Sequence, residues 1–381
     1  MKKLKHIING IVWTLAGAYL LLIVLVQLPP IQGFLGTQVS DALAKKLGTK
    51  VEVGSINLGF LNRIIIDNVM MYDQKGDSML YASRLSAKID YLPLAKGRIS
   101  IASAQLFGLK ANLYKETSHS KPNFQFVIDS LASKDKNKPQ TPLDLHIGSL
   151  IIRHGYAKYD QRDIAEKRNA FSPQHIESSG LSAHFIIDKI TDNNIKLAIN
   201  RLSFSDKSKL QVKSLNFKLT ANKQEAMLKD FDLQLPNSEL SLGDIHASYR
   251  FENGKFNTQS LQFEGSIEQS KITLSDISCF LPIFRHFEDA LYFSSHFTGT
   301  STSIRCKDIN FRTGSGSINL QAKGRVSDWN TQMAWAANID NLTLTKQSID
   351  FLTHNLASKV KIPKEALRLG GIHYEGTMHG K

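Results

Sequence analysis

The hydrophobic and polar positions of this chain change their period twice. Residues 7–28 are apolar on every face of a helix and carry no charged side chain. Residues 29–48 then place apolar side chains at every fourth position. From Val51 onwards, apolar residues recur at every second position in short runs, which is the period of a β-strand with one buried face. The pattern therefore predicts two helical segments followed by a mainly β chain.

The first segment has the length of a transmembrane helix, since about 20 apolar residues cross the hydrocarbon core of a bilayer. Lys2, Lys3 and Lys5 precede it, and positive charge stays on the cytoplasmic side. We therefore predict that residues 1–28 are a cytoplasmic head and a single-pass anchor. The predicted anchor side chains are Ile7, Ile8, Ile11, Val12, Trp13, Leu20, Leu21, Leu22, Ile23, Val24, Leu25 and Val26.

A cleaved signal peptide is the alternative interpretation of this segment. Ala16-Gly17-Ala18 resembles a cleavage site, and signal peptides have an apolar core of about 7–15 residues. The strongly apolar sequence continues beyond that site. The retained anchor is therefore favoured.

The second segment, residues 29–48, predicts an amphipathic helix. Its apolar stripe ends at Gly48, a residue type that commonly follows the last helical turn. Such a helix would lie on the bilayer or plug the end of a β structure. The stripe consists of Ile31, Leu35, Val39, Leu43 and Leu47.

The most sustained alternation covers residues 181–251, where each predicted strand has one apolar and one polar face, as in an antiparallel meander. Asn253-Gly254 follows as a strong hairpin signal. Short helical patterns interrupt the β pattern at residues 116–142, at residues 276–291 around Pro282, and around Leu352. An apolar sheet face must be buried against something, and these helices are too few to cover it.

Three arrangements satisfy that requirement: a closed sandwich, a barrel, or an open curled groove whose apolar lining meets a ligand. In a membrane-tethered protein, the abundant long apolar ligand is a lipid. The predicted groove-lining set shares one face of successive strands. It consists of Phe185, Ile187, Leu197, Phe217, Leu219, Phe231, Leu233, Tyr249 and Phe251.

Of the overall composition, only the net charge adds to this prediction, because it bears on the partners of the chain. The chain has 381 residues, of which 42% are hydrophobic and 21% charged, and these proportions describe a folding chain. The formal net charge of +13 raises nucleic acid as a partner. The positive residues are spread along the chain and no nucleic-acid motif occurs. We therefore expect no nucleic acid, and instead a surface near anionic lipid head groups or an acidic partner.

No catalytic motif is present, so we predict no enzyme activity and no cofactor. Asp73, Asp77 and Asp90 lie at strand ends and turns, where aspartate is common. His146 and His154 could share a strand face, but a histidine pair without a third ligand is a weak metal signal, and no metal site is predicted.

The two cysteines, Cys279 and Cys306, lie in the part predicted to be exported, where a disulfide is permitted. Two half-buried free thiols are the alternative. We favour the free thiols, because the neighbouring Phe280-Leu281 has the character of a core segment.

Four stretches resemble the N-terminal region of TamB-like proteins of the AsmA superfamily. They are PPIQGFLGTQVSDALAKKLGTKVEVGSINLGFLNRIIIDNVMMYDQKGDSMLYASRLS (29–86), NFQFVIDSLAS (123–133), FSPQHI (171–176) and KLQVKSLNFKLTANKQEAMLKDFDLQLPNSELSLGDI (209–245). The resemblance implies an elongated antiparallel β-taco, which is an open hydrophobic groove, anchored in the inner membrane with the bulk of the chain in the periplasm. The implied function is phospholipid transport towards the outer membrane, as part of outer-membrane biogenesis.

The same family implies an alternative function as a translocation and assembly module subunit. Such a subunit assists insertion or secretion of outer-membrane β-barrel proteins, and it could offer sheet edges to unfolded strands. The implied partners are phospholipid acyl chains, the inner membrane and an outer-membrane barrel protein, the last bound through a C-terminal part that this sequence lacks. The expected domains are a β-groove over residues 49–275, a short helical insertion over 276–291, and a continuing groove over 292–381 that is incomplete at its C-terminus.

Overall fold

The computed structural model describes residues 10–11, 13–14, 17–21, 24–59, 62–89, 99–132, 143–144, 148–166, 170–191, 194–252, 255–356 and 370–381. The described chain is mainly β, and most of its strand pairs are antiparallel. It divides into two compact units. Unit 1 comprises Met1–Ala165 and Gln174–Ser182, and unit 2 comprises Glu166–Pro173 and Ala183–Lys381. The predicted fold class, mainly β and antiparallel, is confirmed at this level.

Besides the helical N-terminal run, the described chain contains α1 (Pro29–Leu47), α2 (Gln125–Ala132) and α3 (Gln347–Leu356). Helix α1 occupies the stretch where the four-residue stripe predicts a helix. It begins at Pro29-Pro30, where proline is tolerated because the first N–H groups of a helix have no intrahelical partner. It ends at Gly48, whose left-handed backbone (φ 71°) lets its N–H donate to the Ala44 carbonyl at 2.7 Å.

The N-terminal apolar run is helical where it is described. Six predicted anchor side chains, those of Ile11, Trp13, Leu20, Leu21, Val24 and Leu25, are exposed, and that of Val26 is half-buried. Ile7, Ile8, Val12, Leu22 and Ile23 lie outside the described residues.

Within the described chain, no single helix has both the length and the apolar character needed to cross a bilayer. Gly17–Val26 and α1 meet that criterion only as a pair, with a bend of 80° between them. The single-pass anchor therefore stays a prediction.

Unit 1 contains eight strands and the first part of β9 (His175–Thr191). The eight are β1 (Val51–Glu52), β2 (Ile56–Leu58), β3 (Arg63–Tyr72), β4 (Ser78–Ile89), β5 (Ile99–Phe107), β6 (Lys110–Lys115), β7 (Leu143–Asp144) and β8 (Ser149–Gln161). β3 and β4 form an antiparallel hairpin, and β1 and β2 pair with β3.

One feature of unit 1 differs from the predicted antiparallel arrangement of strands. β8 runs parallel to β5 and then to β6, with Gln105 opposite Ile151 and Asn112 opposite Lys158. Parallel pairing needs a long crossover connection, and the segment between β6 and β8 that contains α2 provides it. His154 has a left-handed backbone (φ 54°) between the two paired stretches, beside the turn at Gly108 (φ 58°).

Unit 2 contains the remainder of β9 and eleven strands that pair antiparallel in a meander. They are β10 (Asn194–Asp206), β11 (Gln211–Asn222), β12 (Glu225–Gln234), β13 (Glu239–Leu242), β14 (Ile245–Glu252), β15 (Lys255–Thr273), β16 (Ala290–Thr300), β17 (Ser303–Thr313), β18 (Ile318–Ser327), β19 (Ala334–Thr345) and β20 (Gly371–Gly380). Each strand pairs with the next, except that β13 and β14 both lie between β12 and β15.

The helical insertion predicted for residues 276–291 differs from the structure in type and extent. Two short 3-10 helices occur instead, Leu274–Ile277 and Pro282–Phe284, and β16 already begins at Ala290. Pro282 cannot donate a backbone hydrogen bond inside a helix, and short apolar stretches of this kind commonly form single 3-10 turns.

Candidate functional site

Rows of apolar side chains cross the strands of unit 2. Residues directly opposite each other in antiparallel strands project to the same face of the sheet. The first row joins Leu197, Leu219, Leu228 and Ile245, and a second joins Leu202, Leu215, Leu233 and Leu240. Between them, Phe217 and Phe231 stack with their ring centroids 6.3 Å apart. We call this continuous surface the apolar face.

The residues predicted to line a groove lie on this surface or alternate along strands that border it. Leu197, Leu219 and Leu233 belong to the rows just described, and Phe217 and Phe231 lie between those rows. Tyr249 and Phe251 follow Ile245 on β14 at alternate positions and therefore share its face.

The remaining two predicted residues, Phe185 and Ile187, occupy alternate positions of β9, which pairs with β10. Eight of the nine predicted side chains are half-buried, whereas Phe251 is exposed. The register brings together the members on β10 to β12.

The apolar face also continues into strands that the sequence-based set does not include. The first row extends from Ile245 through Gly265, Phe297, Cys306, Gly324 and Ala337 to Met378. A parallel row in β16 to β20 joins Phe293, Phe311, Leu320, Leu342 and Tyr374. The alternation in β17 and β18 is the signal that could have found these residues.

One end of the apolar face is sealed by packed side chains. Leu210, Val212, Leu235 and Cys279 form a buried cluster, against which Phe171, Phe204, Leu215, Leu233 and Ile277 pack. On the β16 to β20 side, Phe351 of α3 meets the buried ring of Phe287 at a centroid distance of 5.5 Å. We call this region the closed end.

Hydrogen bonds hold the turns of the closed end in place. The buried Ser238 hydroxyl donates to the Asp276 carboxylate at 2.7 Å and accepts from the Thr273 backbone N–H at 2.9 Å. The fully buried Asn355 amide donates to the Asp289 carboxylate at 2.6 Å and to the Phe351 carbonyl at 2.8 Å. Both contacts fix a 3-10 or helical segment against the ends of the strands.

The opposite end of the same face exposes large apolar side chains, and we call it the open end. Phe251 and Phe256 are each 43% exposed. Together with Tyr249 they form three edge-to-face ring contacts with centroid distances of 5.3, 5.9 and 6.0 Å. Ile195, Trp335 and Met378 are also exposed there.

Tyr249 is held at the open end by its hydroxyl, which donates to the Asn222 carbonyl at 2.8 Å. Burial, and to a smaller degree the Glu225 carboxylate, raises the pKa of Tyr249.

A shallow depression of about 500 Å³ lies where the first row crosses β17 to β20. The basic residues Arg305, Lys307, Lys323 and Arg325 contribute to its lining together with Cys306, Gly324, Ala337 and Met378 of the first row. Cys306, Gly324 and Ala337 have small side chains, so the surface recedes between the larger Phe297 and Met378. The depression therefore combines small apolar side chains of the first row with basic side chains that alternate with them.

Both cysteines are free thiols. Cys279 is buried in the closed end, and burial raises the pKa of its thiol. Cys306 is half-buried on the apolar face. The sequence favoured two free thiols that are at least partly buried, and both cysteines agree with this interpretation.

Asp73 and Asp77, two of the carboxylates considered from the sequence, lie in one turn. Asp73 is buried and accepts hydrogen bonds from the Tyr114 hydroxyl at 2.8 Å and from the backbone N–H groups of Lys75 and Asp77. Burial opposes ionisation of Asp73, but these hydrogen bonds outweigh it and its pKa is lowered. Burial and the Asp73 hydrogen bond raise the pKa of Tyr114 to about 12. The geometry is that of a turn held by a carboxylate.

His154 is exposed in its left-handed turn, and His146 and Asp90 lie outside the described residues. Among the residues that the structure describes, no group of three or more histidine, cysteine, aspartate or glutamate side chains is arranged to hold a metal ion. Comparisons of the chain with protein-family models, with curated proteins and with solved structures give no match.

Proposed function

We propose that this chain is a membrane-anchored β protein of the periplasmic side whose apolar face binds phospholipid acyl chains. In this proposal it forms the inner-membrane end of a path that carries phospholipid towards the outer membrane. The observation that carries the proposal is the apolar face of unit 2, which continues in register from β10 to β20 and becomes more exposed towards its open end.

The free energy gained by burying apolar surface supports a binding role for the apolar face. Removing apolar surface from water contributes roughly 25 cal/mol per Å², or about 0.8 kcal/mol per methylene group. Monomeric soluble proteins rarely expose large contiguous apolar patches unless these serve in binding. An acyl chain lying along the open end would cover Phe251, Phe256 and their neighbours without needing polar contacts. The resemblance to TamB-like proteins points to the same ligand class.

The proposal is tested by photo-crosslinking from the two faces of one strand. A photoreactive phenylalanine analogue is incorporated at Leu219, on the apolar face, or at the adjacent Thr220, which is exposed and projects to the other face. After irradiation of the full chain in native membranes, mass spectrometry should find a phospholipid adduct at position 219 and none at position 220. Equal adducts at both positions, or none at 219 in folded protein, would contradict lipid binding by the apolar face.

A second candidate function, assistance to outer-membrane β-barrel assembly, is favoured by one observation. Among the described strands, β20 pairs only with β19, so its other edge has backbone groups available for an added strand. The same photoreactive analogue at Thr377 of β20 separates the two candidates. Adducts to unfolded barrel proteins at position 377, without lipid at position 219, would favour the assembly function.

A further inference from the structure

The polar face of unit 2, opposite the apolar face, carries a second depression with a volume of about 580 Å³. Two rows of polar residues line it across β14 to β18, and the row between them contributes Phe263, Gly299, Ile304 and Val326. One row runs from His246 through Glu264, Thr298 and Arg305 to Arg325, and the other from Ser248 through Gln262, Thr300 and Ser303 to Ser327. These ten polar side chains alternate with residues of the apolar face, so they project to the other side of the sheet.

Two arginines face each other at this depression. Arg305 on β17 is the direct cross-strand partner of Arg325 on β18, and both side chains are exposed. Directly opposed side chains have Cβ atoms about 4.5–5.5 Å apart, and like charges at that separation repel. Within the described part of the chain, no carboxylate forms an ion pair with either guanidinium group. This pair therefore lacks the counter-charge that would offset its repulsion.

The surroundings of the pair suit a tetrahedral oxyanion. Guanidinium groups donate paired hydrogen bonds in a planar fork that matches phosphate oxygens. Thr298 lies directly opposite Arg305 on β16, and Ser303 precedes Arg305 by two positions on the same face of β17, so two hydroxyl donors border the pair. Lys307, two positions beyond Arg305, is exposed and adds positive charge.

Glu264 is the acidic member of the lining, and it limits what the site can hold. It lies two strands away from Arg305, opposite Thr298, which places it about 10 Å away at the usual strand spacing. At that distance it does not neutralise the arginines directly, but its carboxylate repels an anion bound between them. Its removal should therefore strengthen anion binding, whereas removal of either arginine should weaken it.

We propose that the polar depression binds a phosphate group between the guanidinium groups of Arg305 and Arg325, presented by a soluble phosphate ester or by a lipid head group. Arg305 and Arg325 alternate with residues of the proposed acyl-chain surface, so the two guanidinium groups project to the other side of the sheet. The existence of the phosphate site does not depend on lipid transport.

The test measures binding to the purified full chain in non-ionic detergent at low salt. Glycerol 3-phosphate is titrated by calorimetry, and retention of phosphatidylglycerol against phosphatidylcholine is counted by native mass spectrometry. We expect Arg325→Gln and Arg305→Gln each to weaken binding about tenfold or more, because each removes charge-assisted hydrogen bonds. Glu264→Gln should strengthen binding about two- to threefold, and added salt should weaken it in every form.

Arg201→Gln is the matched control, since Arg201 is an exposed arginine of β10 outside the depression. Binding of glycerol 3-phosphate would identify a soluble ester as sufficient, and selective retention of phosphatidylglycerol alone would identify the head group as the source. The proposal is wrong if the unsubstituted protein binds neither, if Arg201→Gln weakens binding as much as Arg325→Gln, or if Glu264→Gln weakens it. Arg325→Gln should weaken binding and Glu264→Gln should strengthen it. A general loss of folding would weaken binding in both variants, so the two effects can be told apart.

Discussion

The two ends of the apolar face of unit 2 are built on the same strands and differ in what covers them. At the closed end, Leu235 is 8% exposed and lies in the buried cluster around Cys279. At the open end, Phe251 is 43% exposed and contacts two other aromatic rings. Both residues follow the same period of two along neighbouring strands.

The difference arises in the segments that connect the strands. The connections at the closed end include two 3-10 helices and α3, and their apolar side chains pack onto the strand ends. A described connection at the open end, Asn222 to Glu225, is a tight turn whose Asn222 side chain accepts from two following backbone N–H groups. A tight turn of this kind has too few apolar side chains to cover the sheet. Whether an end of the apolar face is covered therefore depends on the segments that connect the strands, and not on the alternation of apolar and polar residues along them.

The largest expected effect is the contrast between an aspartate at each end. Leu235→Asp places a carboxylate inside the closed cluster and should lower the free energy of unfolding by about 3–5 kcal/mol. Phe251→Asp keeps its carboxylate hydrated and should cost about 1 kcal/mol, chiefly from the lost ring contacts. Urea unfolding of the purified full chain, followed by circular dichroism, measures both. Similar losses for the two variants would mean that the two ends are equally sealed.

An intermediate effect is expected from the hydrogen bonds that fix the closed end. Asn355→Ala removes two donors from a fully buried site and leaves one oxygen of the Asp289 carboxylate without that partner. It should lower the free energy of unfolding by about 1–3 kcal/mol.

The matched control for this variant is Asn338→Ala. Asn338 is an exposed asparagine whose amide donates to Asp340 at 3.1 Å, and its removal should change stability by about 0.5 kcal/mol or less. If both variants unfolded at the same urea concentration as the unsubstituted protein, the closed end would not depend on α3.

Much of the secondary structure could be predicted from period and caps alone. The period of two identified the strands of unit 2, and Gly48 marked the end of α1 because a left-handed residue commonly follows a helix. The predicted groove set ends at Phe251, where the sustained alternation of residues 181–251 ends. The apolar face continues beyond it, past Gly265 and the register shift after Ile267 in β15.

Register and connectivity could not be obtained from the pattern. The parallel course of β8 depends on a crossover whose path the local sequence does not specify. Arg305 and Arg325 are opposed only because of the exact pairing between β17 and β18. A shift of one residue would place either arginine opposite a residue of the other face. The polar depression is therefore visible only in three dimensions.

The smallest expected effect uses the two native thiols as reporters of the two ends, without changing the fold. Cys279 lies in the closed cluster, and burial raises the pKa of its thiol, so both access and thiolate content slow its reaction with a disulfide reagent. Cys306 is half-buried on the apolar face and contributes to the lining of the shallow depression. In native buffer we expect Cys306 to react with 5,5′-dithiobis(2-nitrobenzoate) at least about tenfold faster than Cys279.

The Cys306→Ser variant should retain only the slow phase. Added phospholipid should slow the fast phase alone, because an acyl chain along the first row would cover Cys306 and leave Cys279 as buried as before. Equal rates for the two thiols, or a fast phase that persists in Cys306→Ser, would show that Cys279 in the closed end is as accessible as Cys306 on the apolar face.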